Sequence, residues 1–228
     1  YDETPRGFVF AVKAPRYITH IRRLKDAEQG LANFFASGVL ALREKFGPVL
    51  WQLPPSLRYD EERLETFFSH LPHDSETLAA MAKDHDRTIA KALVKADRKR
   101  SVRHAMEVRH PSFVNASFIA QLRRHGVALV VADTAGKWPF LEDVTAGFVY
   151  MRLHGDKELY ASGYTNAALN RWCRHIDAWR RGSEPKGATR CSNAPPRKRA
   201  SRDIYCYFDN DTKVKAPFDA RKLAEKLG

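Results

Sequence analysis

The chain has 228 residues, of which 43% are hydrophobic, so it can bury a sizeable core and is neither disordered nor fibrous. No apolar run approaches the ~18 residues that span a bilayer, and the N-terminal YDETPRGF carries no secretion signal. The three cysteines lack CxxC spacing, which argues against a disulfide framework or a zinc ribbon and favours a reducing compartment. We therefore expect a cytoplasmic protein with no membrane partner.

The net charge of +12 is concentrated in one segment. Residues 180–202 hold eight Lys or Arg against a single acid, Glu184. Pro, Gly and Ser are plentiful there and no hydrophobic period survives, so we predict a flexible basic insertion at about 182–202. It is either a solubilising surface loop or a polybasic arm that attracts nucleic acid without sequence specificity, and net charge alone does not separate the two.

Six short apolar runs alternate with helical stretches along almost the whole chain. Each run is rich in Val, Phe, Tyr or Leu, is too short for a helix, and is followed by a turn residue or a polar residue, which is typical of buried parallel strands. On the fifth run, alternation predicts one face with Arg152 and His154 and another with Met151 and Leu153. The runs are Phe8–Lys13, Val49–Leu53, Ala105–Arg109, Val127–Asp133, Phe148–His154 and Ile204–Asn210.

The stretches between the runs have apolar residues at helical spacing. The first is predicted to be stopped by Gly47-Pro48, and the fourth by Gly126. Neither an internal repeat nor a hinge-like linker is evident, so one domain over 1–228 is predicted. The predicted helices are Lys25–Phe46, Asp60–His70, Ser75–Arg100, Asn115–His125, Asn166–Arg181 and Ala216–Leu227.

Polar residues that can bind a ligand or transfer a proton lie at the C-terminal end of each run. In a (β/α) barrel the carboxyl ends of the strands meet at one mouth, where such folds have their active sites. A closed barrel needs eight strands, and six are found. Either the fold is not a barrel or two βα units are missing in front. The residues expected to converge are Lys13, Gln52, Glu107, Arg109, Asp133, Arg152, His154 and Asn210.

Blocks of sequence at these strand ends carry a resemblance to a family. They are FVFAVKAPRYITH (8–20), GPVLWQLPPSL (47–57), MEVRHPSF (106–113), VVADTAG (130–136), VYMRLHG (149–155), GYTNAALNRW (163–172), YCYFDND (205–211) and APFDA (216–220). In this order they resemble the YecE-like family, a bacterial and archaeal (β/α)-barrel family of unknown function. The resemblance implies a TIM-type (β/α) barrel whose first two strands precede Phe8, so we expect this chain to lack its first two βα units.

Two arginines among the strand-end residues suit an anionic ligand. Arg109 and Arg152 can form a guanidinium fork around phosphate or carboxylate, with Glu107 as an acid or base. The alternative is an ion-pair lattice that ties the strands together, because buried charges need partners. His154, with Asp133 to orient it, can transfer protons, or it can be an ordinary hydrogen-bonded structural residue.

A metal and a covalent mechanism are weaker alternatives. His154, Glu107 and Asp133 can hold a divalent ion, but no HxH or HxxxH spacing supports this, and the two arginines would repel a cation. Lys13, if buried beside apolar side chains, can become a nucleophile, or it can simply pair with a carboxylate. No motif names a cofactor. Further ligand-binding or structural candidates are Gln52, Asn210, Tyr164 and His20.

These observations favour an enzyme of the hydrolase, isomerase or lyase type that performs acid–base chemistry on a small anionic ligand, phosphorylated or sugar-like. Glu107, Asp133, His154 and Lys13 are its candidate catalytic residues. The alternative is a nucleic-acid-binding or processing protein that uses the same mouth and the basic insertion. A non-catalytic scaffold is the third possibility. Fold alone does not decide among them.

Overall fold

The computed structural model describes residues 1–228, which have an α/β fold with six parallel strands alternating with helices. All six predicted strands are present, with ends that coincide or are shifted by up to three residues. A complete TIM barrel is not confirmed, because six strands are two fewer than a closed barrel has. The strands are β1 (Phe10–Lys13), β2 (Phe46–Gln52), β3 (His104–Glu107), β4 (Ala128–Asp133), β5 (Phe148–Leu153) and β6 (Asp203–Phe208).

Five of the six α-helices lie between strands and the sixth follows the last strand, whereas no helix lies between β4 and β5. Four begin at side-chain caps, in which Asp60, Asp74, Asn115 and Thr165 accept hydrogen bonds from backbone N–H groups of the first helical turn. No helix is long and apolar enough to cross a membrane. The helices are α1 (Glu28–Ala36), α2 (Glu61–Ser69), α3 (Ser75–Ala82), α4 (Ala116–His125), α5 (Asn166–Arg180) and α6 (Ala216–Leu227).

Two predicted helices are wrong in extent. The first ends at Ala36, because Gly38 adopts φ +119°; a 3₁₀ segment follows, and Gly47-Pro48 lies inside β2. The third ends at Ala82, because the Asp86 carboxylate accepts hydrogen bonds from the Thr88 backbone at 2.8 Å and from Asn33 at 3.0 Å. Such side-chain bonds to the backbone compete with helix propagation.

The chain divides into two compact units, 1–106 and 107–228. In the first unit β1 pairs in parallel with β2, and the strand order is β1-β2-β3. Its core contains the fully buried Trp51, whose ring packs edge-on against Phe34 at 6.0 Å and Phe67 at 5.1 Å. The indole nitrogen of Trp51 also donates to His104 at 3.2 Å, so this buried polar group is satisfied.

The second unit has the strand order β4-β5-β6, with both pairs parallel. Its core forms where β5 packs under α5. Met151 and Leu153 of β5 join Leu169, Trp172 and Ile176 of α5 in one buried cluster. This confirms the predicted alternation on β5, because Arg152 lies between two core residues and its side chain points to the opposite face.

Candidate active site

The strand ends of the second unit lie side by side. The His154 backbone N–H donates to the Asp133 carbonyl at 2.8 Å, which continues the pairing of β4 with β5. The Asp209 N–H donates to the Leu153 carbonyl at 2.8 Å, which does the same for β5 and β6. These bonds bring together the polar residues that end the three strands.

Glu107, the last residue of β3, is the centre of a charged cluster. Its side chain is fully buried, and its two oxygens bind different arginines. Arg109 Nε donates to Oε1 at 2.8 Å, and Arg152 Nη1 donates to Oε2. Arg152 Nη2 also contacts Asp209 Oδ2 at 2.6 Å. Two anions and two cations therefore alternate in a chain, which we call the Arg–carboxylate cluster (Glu107, Arg109, Arg152 and Asp209).

Within the cluster, the pKa of one carboxyl group is lowered and the pKa of the other is raised. Burial disfavours the charged form of Glu107, but Arg152 and Arg109 outweigh it and hold its pKa below the ordinary 4.5. For Asp209 burial prevails over the Arg152 charge, so its pKa is raised above the ordinary 3.8. Glu107 is thus a fixed anion, whereas Asp209 holds its proton to a higher pH than an ordinary aspartate does.

Arg109 is the member of the cluster whose guanidinium group still has hydrogen-bond donors available. Its guanidinium carbon lies 3.9 Å from the centre of the Trp138 ring, in a cation–π contact. Glu107 occupies its Nε, whereas the two terminal nitrogens have no hydrogen-bond partner in the protein. The side chain is 12% exposed. The free edge of the fork is therefore oriented, largely desolvated and able to bind an anion.

His154 lies beside the cluster and is fully buried. Its Nδ1 is 3.7 Å from Asp209 Oδ2. The imidazole ring meets Tyr160 edge-on at 5.2 Å between ring centroids, and Trp138 at 6.5 Å. An imidazole next to a carboxyl with a raised pKa is an arrangement suited to proton transfer.

Asp133 forms a second polar group with Tyr164. The Tyr164 hydroxyl donates to Asp133 Oδ2 at 3.2 Å and accepts from the Gly155 N–H at 3.1 Å. Burial raises the pKa of Asp133 above 3.8, despite the hydrogen bond from Tyr164. Burial and the nearby Asp133 also raise the pKa of Tyr164, so the phenol stays protonated and acts as a donor.

Asn210 connects the surrounding segments through hydrogen bonds. Its amide Nδ2 donates to the Ser162 carbonyl at 3.0 Å and to Asp219 Oδ2 at 2.8 Å, and the Tyr164 N–H donates to the same Asp219 oxygen at 3.0 Å. The residue that contacts Arg152 is its neighbour Asp209, which the sequence analysis did not select. The Asp-Asn-Asp run at 209–211 was the available signal, but it does not say which polar residue follows the last strand position.

Lys13, Gln52 and His20 belong to the first unit. Lys13 ends β1 with an exposed side chain, so the desolvation that would activate it as a nucleophile is missing. Gln52 is buried at the end of β2, and His20 Nδ1 is 2.8 Å from the Thr19 hydroxyl. The Arg–carboxylate cluster lies in the second unit, and the participation of these three residues stays a prediction.

A cleft of about 980 Å³ runs along α5 in the second unit. Asp133 is the one predicted site residue on its wall. The other wall residues include Arg171 and Arg174 of α5, Arg181 directly after it, and Lys186 of the basic insertion. No three His, Cys, Asp or Glu side chains come together in an arrangement suited to holding a metal ion.

Comparison with known proteins agrees with the resemblance noted in the strand-end blocks. A family model described as "Protein of unknown function DUF72" matches residues 1–228. The chain is similar to the solved structure of a DUF72 family protein from Thermotoga maritima, with a TM-score of 0.69 and 21% identity over 99% of this chain and 76% of that one. A DUF72 family protein from Enterococcus faecalis gives a TM-score of 0.66 and 15% identity over 98% and 75%. None of the curated proteins matches. The structural likeness shows the fold alone.

Proposed function

The chain belongs to the DUF72 family, whose function is unknown, and we propose that it is an enzyme acting on a small anionic ligand, phosphorylated or sugar-like, at the Arg–carboxylate cluster. The observation that carries the proposal is the free edge of Arg109. A guanidinium that is held by Glu107 and Trp138, with both terminal nitrogens unbound, matches two oxygens of a phosphate or carboxylate.

Preorganisation favours a ligand site over a purely structural lattice. A lattice that only ties strands together would use the terminal guanidinium nitrogens of its arginines, as Arg152 does with Glu107 and Asp209. Arg109 uses one nitrogen and stacks on an aromatic ring, which fixes its direction before a ligand arrives. A fixed donor loses less conformational entropy on binding.

Proton transfer in the proposed reaction is assigned to Asp209 and His154, with Asp133 as a second candidate. Asp209 has a raised pKa, and its side chain is 32% exposed and belongs to the same ion-pair cluster as Arg109. Glu107 is assigned a positioning role, because its two arginine partners keep it ionised. The reaction class fits hydrolysis, isomerisation or elimination at a polarised carbon.

The proposal is tested by ligand binding followed by turnover. Thermal-shift measurements with a panel of sugar phosphates and sugar acids should show an increase in Tm for the wild-type protein. Arg109→Gln should abolish the shift, and Lys222→Gln, an exposed charge on α6, should leave it intact. If no anion raises the Tm, or if Arg109→Gln responds like the wild type, the proposal fails.

Each ligand that binds is then followed by ¹H and ³¹P NMR for conversion. Asp209→Asn should bind the ligand with similar affinity but convert it at least about 100-fold more slowly, the usual size of a general acid–base contribution. Equal rates for the variant and the wild type would remove Asp209 from the mechanism.

A further inference from the structure

The basic insertion at 182–202, called here the basic strap, is fastened to the second unit by two buried carboxylates. Glu142 Oε2 accepts from the Thr189 N–H at 2.8 Å, and the Glu142 N–H donates to the Thr189 carbonyl at 2.7 Å. Asp143 accepts from the N–H groups of Cys191 at 2.9 Å and Ser192 at 3.1 Å. Both acids are 2% exposed. The middle of the strap is therefore held through its backbone.

Arginines fasten the remainder of the strap. Arg202, which is 4% exposed, donates to the carbonyls of Ser183 and Arg197 at 3.2 Å each, and so closes the strap on itself. Arg123 of α4 donates to the Ala194 carbonyl at 2.9 Å. These bonds join buried guanidinium groups to backbone carbonyls. The exposed cationic side chains of the strap take no part in them.

Three exposed cations of the strap have no side-chain partner within the protein. The side chains of Lys186, Arg197 and Lys198 are exposed and make no hydrogen bond or ion pair. The single acid of the strap, Glu184, is already bound to Arg190 at 2.6 Å. The strap therefore displays positive charge that nothing in the chain neutralises.

Cations also lie on the α5 side of the cleft. Of the five acids on the cleft wall, Glu142 contacts His175 at 2.6 Å, Asp177 contacts Arg180 at 3.3 Å and Glu184 contacts Arg190 at 2.6 Å, whereas Asp133 and Asp156 bind hydroxyl groups. Two basic residues of the wall, Arg174 of α5 and Arg181 directly after it, are exposed and have no acidic partner. Lys186 of the strap thus borders the same cleft as Arg174 and Arg181.

We propose that the basic strap and the adjoining face of α5 form a surface that binds the phosphate backbone of nucleic acid without sequence specificity. Cations without internal partners can neutralise the regularly spaced phosphates of nucleic acid, which releases the counterions condensed on it. The strap has no large exposed apolar side chain to insert into a lipid surface, which favours nucleic acid over a membrane. This surface does not depend on the proposed function, because it uses none of the residues of the Arg–carboxylate cluster.

The test is fluorescence anisotropy with a labelled 30-base-pair DNA duplex of mixed sequence, repeated at several salt concentrations. The triple variant Lys186→Gln, Arg197→Gln, Lys198→Gln removes three exposed, unpaired charges. If each charge meets a phosphate, the slope of log K against log salt should fall by about 3 relative to the wild type. The matched control Arg221→Gln, Lys222→Gln, Lys226→Gln removes the same charge from exposed positions of α6 and should keep the wild-type slope.

Circular dichroism checks that both triple variants are folded. An unchanged affinity and slope in the strap variant overturns the proposal, as does an equal loss in both variants, which would indicate net charge alone. Anionic phosphatidylserine vesicles are measured in parallel. Binding to vesicles without binding to the duplex would also overturn it. The thermal shift caused by a small anion at Arg109 should be unaffected by the strap variant, so the two proposals can fail separately.

Discussion

The guanidinium of Arg109 lies over the indole ring of Trp138, with its central carbon 3.9 Å from the ring centre. The stacking leaves the edge of the guanidinium, rather than its face, available to a ligand. Trp138 also contacts Lys137, but at 5.5 Å and from an exposed position. The Trp138 indole thus contacts one largely buried cation and one exposed cation. Comparing the two contacts measures how much burial strengthens a cation–π interaction.

Trp138→Leu should lower the free energy of unfolding, and a double-mutant cycle with Arg109→Gln should give a coupling energy of about 1–2 kcal/mol, as expected for a partly desolvated cation–π pair. The matched cycle of Trp138→Leu with Lys137→Gln should give less than about 0.5 kcal/mol, because that ammonium is exposed and more distant. Urea unfolding measures both. Equal coupling in the two cycles would contradict the special role of Arg109.

Glu107→Gln should destabilise the fold by about 3–5 kcal/mol, because it removes the shared anion and leaves two largely buried guanidinium groups without it. Glu225→Gln, an exposed change on α6, should stay within about 0.5 kcal/mol. The comparison is made by chemical denaturation at pH 7. A Glu107 variant as stable as the wild type would show that the ion pairs do not support the fold.

Asp133→Asn should stabilise the protein relative to the wild type, and increasingly so as the pH rises. Burial raises the pKa of Asp133 above 3.8, so the folded state holds this proton to a higher pH than the unfolded chain. The stability linked to that proton is fully present at low pH and is lost as the pH rises through the folded pKa. Asparagine cannot ionise, and its carbonyl can still accept from Tyr164.

The measurement is a series of urea unfolding curves from about pH 3 to about pH 7, the range in which a carboxyl with a raised pKa ionises. The exposed Asp211→Asn serves as the control. A difference between Asp133→Asn and the wild type that does not change with pH would show that Asp133 ionises normally in the folded protein.

Asp219→Ala should cost about 2–4 kcal/mol, because the buried N–H of Tyr164 and the amide of Asn210 both lose their acceptor. Asp219→Asn keeps one acceptor oxygen and should cost clearly less. Thermal and chemical unfolding of the two variants distinguish lost hydrogen bonds from a general intolerance of change at this site, in which case both variants would be equally unstable.

Local pattern determined much of what was predicted correctly. The six strands follow from short apolar runs, and the faces of β5 follow from the two-residue period of any strand. Helices α2, α4 and α5 begin where Asp60, Asn115 and Thr165 can cap them, and α4 ends at Gly126. These are properties of neighbouring residues, so they can be predicted from the sequence without knowing what packs against them.

Helix length was misjudged where a distant or unusual contact decides it. Apolar spacing continues past Ala36 and Ala82, but the backbone turns at Gly38 in one case, and in the other Asp86 binds Asn33, 53 residues away. Periodicity records which residues can be buried. It does not record where the chain leaves the helix.

The sequence by itself determined that charged groups collect at the strand ends, and it named Glu107, Arg109 and Arg152 among them. Only the tertiary structure decided how those charges are shared. It gives Glu107 to both arginines, brings Asp209 rather than the predicted site residue Asn210 to Arg152, and fastens the basic strap through Glu142 and Asp143. Residue type and strand period fix which groups must find partners on a given face. The partner itself depends on the exact residue at which an adjacent strand ends, and a shift of one position there exchanges an amide for a carboxylate.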